Sequence, residues 1–274
     1  MLFRALYTLL LAALLALRPF GAVAADSWRE LEPGISLASF TIESEAFFPP
    51  TITVLRLDPG QVEFVLLNSS SAGKAKSLNG WADREGLVAA INASMYLPDN
   101  QTSTGYMRNG EHENNSRIVT NFGAFFVAGP RDPALPGAAL LDRVRDPWEE
   151  RLPLYDIVVQ NYRLIDVNGR MLWTPGGPSH AVSAIGQDRQ GNILFIHCRE
   201  PMTGAEFGNL LLTLPLDLHM VMYVDGGSQA GLLVRAGDLS EVWMGRHVAD
   251  LWTSGNKNAP LPNVIGVKRR KTRS

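Results

Sequence analysis

The stretch "HMVMYVDGGSQAGLLV", residues 219–234, decides how the chain is read. An apolar run of strand character ends on Asp225-Gly226-Gly227-Ser228, and a second apolar run begins at Gly231. A buried strand is a rigid mount, and polar residues at its tip are held where a ligand can meet them. Gly226 and Gly227 let the backbone turn sharply and come close to a bound group. Their successive amides, with the Ser228 hydroxyl, suit an anion. Asp225 has the chemistry of an acid, a base or a hydroxyl anchor. A plain tight turn between two strands has the same spelling, so the neighbouring segments must decide.

Upstream, Thr203-Gly204-Ala205-Glu206 spells a capping box, with Thr203 over the Glu206 amide and Glu206 reaching back. Phe207, Leu210, Leu211 and Leu214 then share one helical face, and Pro215 ends it. A second short helix is expected over "SLNGWADREG", with Ser77 as N-cap and Gly86 as stop. "LVAAINASMY", residues 87–96, reads as a buried strand opening into a loop at Asn92. "TITVLRLDP" and "GQVEFVLLN" alternate about Pro59-Gly60, which predicts a two-strand hairpin. Residues 97–117 are polar and turn-rich and read as a loop. "TNFGAFFVAGP" reads as a strand. Pro130 to Pro153 reads as a connection with one helical turn. "YDIVVQNYRLIDVNGRMLW" predicts two strands joined at Asn168-Gly169. "AVSAIGQDRQGNILFIHC" predicts two more, joined near Arg189-Gln190-Gly191. Strict strand–helix alternation is absent and no linker divides the chain. The expected fold is therefore α+β, a single domain with a strand-rich mixed sheet core and a few short helices.

Of 274 residues, 46% are hydrophobic and 19% charged, an ordinary globular composition. Arg4, the apolar run Ala5 to Leu17 and the small residues Ala22-Val23-Ala24 have the three parts of a secretory signal, expected over residues 1–25. No second long apolar run follows, so no stable membrane anchor is expected after cleavage, and the location is periplasmic or secreted. Cleavage removes Arg4 and Arg18 and leaves 23 basic against 27 acidic residues. Several of the basic ones crowd the stretch 268–274, read as a solvated tail. The more acidic body argues against nucleic acid as a partner. Cys198 is the only cysteine, so no internal disulfide forms, and its apolar setting "ILFIHC" marks a buried thiol. His197 in the same run reads as a core or sheet-face residue.

Other residues come forward for chemistry with less company. Glu111-His112-Glu113 is metal-friendly in type, but it lies in a polar loop where solvated side chains are the ordinary case. No spacing of His, Cys and carboxylates argues for zinc. No metal site and no cofactor are expected, and a divalent cation such as calcium is left open. Gly-x-Ser-x-Gly, the P-loop and the dinucleotide fingerprint are all absent.

The segments "AAINASMY", "YRLIDVNGR", "SAIGQDRQGNILF", the helix at 203 and "MYVDGGSQAGLLV" stand in an order that resembles the phosphodiester glycosidase family, over roughly residues 50–268 within an expected domain of 26–267. The family carries Asn-Gly-Gly-aromatic-aromatic after an apolar strand, an Arg-Thr-Ala-Ile-Gly-like strand, and a helix–strand unit ending in Leu-Asp-Gly-Gly-Gly-Ser. Carried over residue by residue, the resemblance implies Asp225 as the catalytic carboxylate. Asn92, Tyr96, Gly105, Arg108, His180, Gly226, Gly227 and Ser228 are implied around the substrate. Ala93-Ser94-Met95 replaces Gly-Gly and the first aromatic. Val182 stands where the family has Arg, which removes the natural phosphate fork; His180 and Arg108 are the substitutes on offer. Glu111, Glu113 and Asp188 are the candidates for a second carboxylate. The implied function is an exported glycosidase that hydrolyses a sugar-1-phosphodiester or a related envelope glycan linkage. The alternative is a non-catalytic polysaccharide-binding or exopolysaccharide-production factor, motivated by Val182 and the altered Asn92 motif.

Overall fold

Alternating and continuous apolar runs of five to ten residues, separated by glycine- and aspartate-containing turns, can satisfy their backbone only by pairing with one another. The computed structural model describes residues 23–25, 28–43, 49–245 and 255–270. Their strands form three sheets. The first has eight strands, in the order Val23–Ala25, Ile35–Ile42, Thr51–Leu57, Ile193–Met202, His180–Asp188, Leu218–Gly226 and Arg163–Ile165, with Arg29–Glu32 also on Ile35–Ile42. The second runs Ala138–Asp142, Ala124–Pro130, Tyr155–Asn161, Met107–Asn109, His112–Asn115. The third runs Leu239–Met244, Gly231–Ala236, Ala89–Asn92, Asn263–Arg269, Val62–Asn68. The strand-rich core with few short helices is as expected. Every strand pairing among the described residues is antiparallel rather than of both senses.

All three sheets turn one face to a common core. Leu55, Ile185, Phe195 and Met222 come from the first, Phe126, Ala128 and Val159 from the second, and Phe64, Ile91, Leu232 and Ile265 from the third. Phe64 packs edge-on against both Phe126 and Phe195, one ring joining three sheets. The outer face of the first sheet is covered by the helix Gly204–Thr213, which buries Phe207, Leu210 and Leu211. Its capping box forms as the spelling requires. The helix Leu78–Glu85 also matches: the Ser77 hydroxyl accepts from Gly80 N, and Gly86 closes it in the left-handed region.

Several expectations change. Thr51–Leu57 and Val62–Asn68 are not a hairpin. Asp58 accepts the Gly60 amide and the Gln61 side chain, and this turn sends the second strand into the third sheet, against Asn263–Arg269. The loop at 97–117 contains a small hairpin, Met107–Asn109 with His112–Asn115, about Gly110. The connection 130–153 contributes the strand Ala138–Asp142 beside its helical turn Trp148–Arg151. The strand pair in 155–173 breaks at Tyr162, not at Asn168-Gly169. Asn161 accepts from Tyr162 N and donates to Val224 O, so the chain crosses there from the second sheet to the first. Lys268 and Arg269 belong to the last strand and pair with Glu85 and Glu32, while 271–274 lie outside the described residues. The expected signal also lies outside them, except for Val23–Ala25, which pair with Phe40–Ile42. Among the described residues no helix is long and apolar enough to cross a membrane.

Candidate active site

Strand Leu218–Gly226 lies between His180–Asp188 and Arg163–Ile165. Its register slips just before the tip: Tyr223 faces Ala184, Asp225 faces Ser183, and Val224 is the extra residue. Such a bulge re-aims the side chain that follows it. The Asn161 amide holds it by donating to Val224 O at 2.8 Å. Nothing in the apolar pattern around Asn161 announced this role; an Asn at the end of the strand spelling "YDIVVQN" was the available signal.

Asp225 is half-buried, and its Oδ1 accepts from Gly226 N at 2.7 Å. Burial pushes its pKa up to about 7, against the smaller opposing effect of that hydrogen bond. Two phenols are close enough to feel its charge. Tyr96 is raised by burial and then by Asp225, and Tyr223 is raised in the same order. Tyr223 was not singled out in the sequence because it reads as one more apolar strand residue.

Gly226 is required for space. A Cβ there would run into His180 Nδ1 and lie 2.7 Å from the Tyr223 hydroxyl. His180 Nδ1 lies 3.0 Å from Ala181 O; as the donor in that contact it leaves Nε2 for other partners. Gly227 is required for conformation, at φ +72, and no described residue stands within 4 Å of where its Cβ would be. Ser228 follows, half-buried. Asp225, Tyr96, His180, Gly226, Gly227 and Ser228 thus gather at one strand tip, with Tyr223 added. Tyr96 is carried by a small loop closed by Leu97 N to Thr102 O and Thr104 N to Met95 O. That loop is tied in turn by Ser103 N donating to Asn114 Oδ1.

Asn92 lies deeper. It is 1% exposed, and its Oδ1 accepts from Gly231 N at 3.1 Å, which links its strand to the far end of the Asp-Gly-Gly segment. Among the described residues its Nδ2 has no hydrogen-bond partner, and neither do Ser94 Oγ and Gln229 Oε1 in the same two segments. Gly105 packs where a Cβ would meet the Gln160 carbonyl and Phe122. Arg108 donates through Nη2 to Leu152 O and Tyr155 O, so its guanidinium braces the second sheet. Glu113 accepts from the Tyr106 hydroxyl, and His112 meets Ser70. Asp188 is built into its turn by Gln190 N, Asn192 N and the Asn192 amide. It stands at the other end of the strand that begins at His180, roughly 26 Å away at about 3.3 Å per residue. Val182 is 0% exposed, paired with Cys198 and Gly226 in an apolar cluster.

Behind Asp225 the register continues as a polar row, through Ser183 and His197 to Thr53. Ser183 Oγ and His197 Nδ1 are 3.2 Å apart, both residues buried. Burial and the nearby Arg199 charge hold His197 neutral, with its pKa lowered to about 3. Among the described residues no group of three or more His, Cys, Asp and Glu is placed to hold a metal ion.

A family model described as phosphodiester glycosidase matches residues 85–268. No curated protein matches the chain. Among solved structures, a hypothetical protein from Synechocystis is similar at 15% identity and a TM-score of 0.64, covering 93% of this chain and 65% of that one. The chain thus spans just under two thirds of that relative. The catalytic domain of zebrafish N-acetylglucosamine-1-phosphodiester α-N-acetylglucosaminidase, auto-inhibited by its pro-peptide, is similar at 12% identity and a TM-score of 0.59, covering 92% and 89%. A putative exported protein from Burkholderia pseudomallei gives 11% and 0.52, covering 83% and 75%. At these identities the structural likeness concerns the fold.

Proposed function

Because the chain belongs to the phosphodiester glycosidase family, we propose that it is an exported hydrolase of a sugar-1-phosphodiester, or a related envelope glycan linkage, acting in the periplasm or outside the cell. The observation that carries this reading is the crowded, half-buried Asp225 at the tip of a bulged strand, followed directly by Gly226, packed against His180 and Tyr223, and by Gly227 in the left-handed region. Water attacks the anomeric carbon as the bond from that carbon to the phosphate oxygen breaks. Asp225 takes the water proton, and the phosphate leaves as a monoester anion. A phosphate departs readily, so strong acid help at the leaving oxygen is less necessary than for an alcohol. With its pKa near 7, Asp225 is poised as a base at neutral pH. The Gly227 amide, Ser228 and His180 are the donors available to the phosphate, and Tyr96 to the sugar. Asn92 acts from below, fixing the Gly231 end of the segment.

One observation favours a second reading, a non-catalytic polysaccharide-binding or exopolysaccharide-production factor: Val182 is sealed in apolar packing where the family has its Arg. The deciding experiment is turnover on a panel of sugar-1-phosphodiesters beside Asp225→Asn, with and without chelator. Turnover lost in the variant supports the hydrolase. Glycan binding with no turnover supports the second reading.

A further inference from the structure

Tyr223 is the last ring of a row. Ring centroids are 4.2 Å apart from Phe122 to Tyr162, 5.8 Å from Tyr162 to Trp173, and 4.9 Å from Trp173 to Tyr223. The two end rings are buried, whereas Tyr162 and Trp173 in the middle keep part of their surface open. Met95, next to Tyr96, is half-buried against the same cluster. The indole is locked. Its Nε1 donates to Arg163 O at 3.2 Å, and Gly204 packs so close to the six-membered ring that no Cβ fits between them. The chain then leaves as the exposed loop 174–179 and returns at His180, beside Gly226.

Here an immobilised, partly open indole stands one ring away from the phenol that feels the Asp225 charge. A rigid aromatic surface binds at little ordering cost. Small-molecule sites combine such surfaces with a few fixed polar groups. The flat partner that suits it here is the C–H face of a pyranose, whose hydroxyl rim is left for the polar groups at Asp225.

We infer that Trp173, flanked by Tyr162, is the platform on which a pyranose ring of the substrate stacks beside the reacting centre. This rests on the carbohydrate-phosphodiester reading above and adds the residues that select the sugar. The test is calorimetric titration of the Asp225→Asn chain, which binds without turnover. The probes are the methyl phosphodiesters of glucose-1-phosphate and N-acetylglucosamine-1-phosphate, with dimethyl phosphate as the sugar-free control. Trp173→Leu keeps apolar cover on Gly204 and removes the ring. It is expected to weaken the tighter glycosyl probe about tenfold, equivalent to ~1.4 kcal/mol, and to leave dimethyl phosphate unchanged. Trp173→Phe should recover most of the loss. Equal glycosyl affinity in a folded Trp173→Leu chain overturns the platform. In the chain that retains Asp225, Asp225-dependent turnover with an unaltered KM in Trp173→Leu sinks the platform alone. Sugar binding that needs Trp173, with no turnover, keeps the platform and sinks the hydrolase. A chain that binds neither glycosyl probe overturns both.

Discussion

Replacing Asp225 by Asn should stabilise the protein at alkaline pH and leave it unchanged in acid. Burial holds the carboxyl protonated up to about 7, against 3.8 for an ordinary aspartate. The unfolded chain ionises near the ordinary value, so between the two the folded state binds the extra proton. Stability therefore falls as pH rises through this window. Each pH unit of the window removes ~1.4 kcal/mol, about 4 kcal/mol across its span. Asp225 is only half-buried, and solvent screening trims the expectation to about 2–4 kcal/mol. Asn keeps the Oδ1 acceptor for Gly226 N and carries no charge in either state. The assay is the urea midpoint of both chains at several pH values between 4 and 8. All other titrating groups are common to the pair, so their difference reports Asp225. The curves should coincide near pH 4 and separate in favour of Asn by pH 8. Parallel curves would refute the argument that burial of this carboxyl governs its charge. In a turnover assay the same group should give an acid limb centred near 7.

Gly226→Ala should cost about 1–3 kcal/mol in urea unfolding, since its Cβ lands on His180 and the Tyr223 hydroxyl and one of them must move. It should also abolish turnover. Asp142 is fully buried and accepts both its ion-pair contacts from Arg163. Asp142→Ala should cost about 3–5 kcal/mol by stranding that guanidinium, while the double change Asp142→Leu with Arg163→Met should recover most of it in the same assay. Cys198 is buried and its thiol is pushed well above the ordinary range by burial and then by the Glu200 charge. It should resist a disulfide reagent at pH 8 until denaturant is added; prompt labelling of the native chain would contradict this burial. Thr203→Ala should lower stability by about 1 kcal/mol through loss of the capping box.

Local chemistry was legible in the sequence where a few adjacent residues settle their own geometry. Thr203 and Glu206 spell a reciprocal cap, Ser77 and Gly86 bracket a helix, and Gly226-Gly227 after an apolar run marks a strand tip. His197 and Cys198 could be placed in the interior because they close the apolar run Ile193 to Ile196. What could not be read was pairing between distant segments. Pro59-Gly60 looks like a hairpin turn, yet whether it joins two strands of one sheet depends on partners as remote as Ile193 and Asn263. Arg108 was a reasonable phosphate ligand by charge alone, but the carbonyls of Leu152 and Tyr155 claim it. The bulge at Val224 and the Asn161 contact that holds it were invisible because both depend on a crossing between sheets.

The strand Asn263–Arg269 follows every other described strand in the chain and yet lies inside its sheet, between Val62–Asn68 and Ala89–Asn92. Among the described residues Val62–Asn68 has no other sheet partner. During synthesis, two early strands must therefore wait with open edges until the ribosome has passed residue 269. Until then Asn92, whose Oδ1 holds the Gly231 amide, has no Val264 opposite it. Long-range closure of this kind is slow and leaves the nascent chain exposed to wrong partners. The third sheet, to which Asn92 belongs, is therefore completed only once residues 263–269 have joined it.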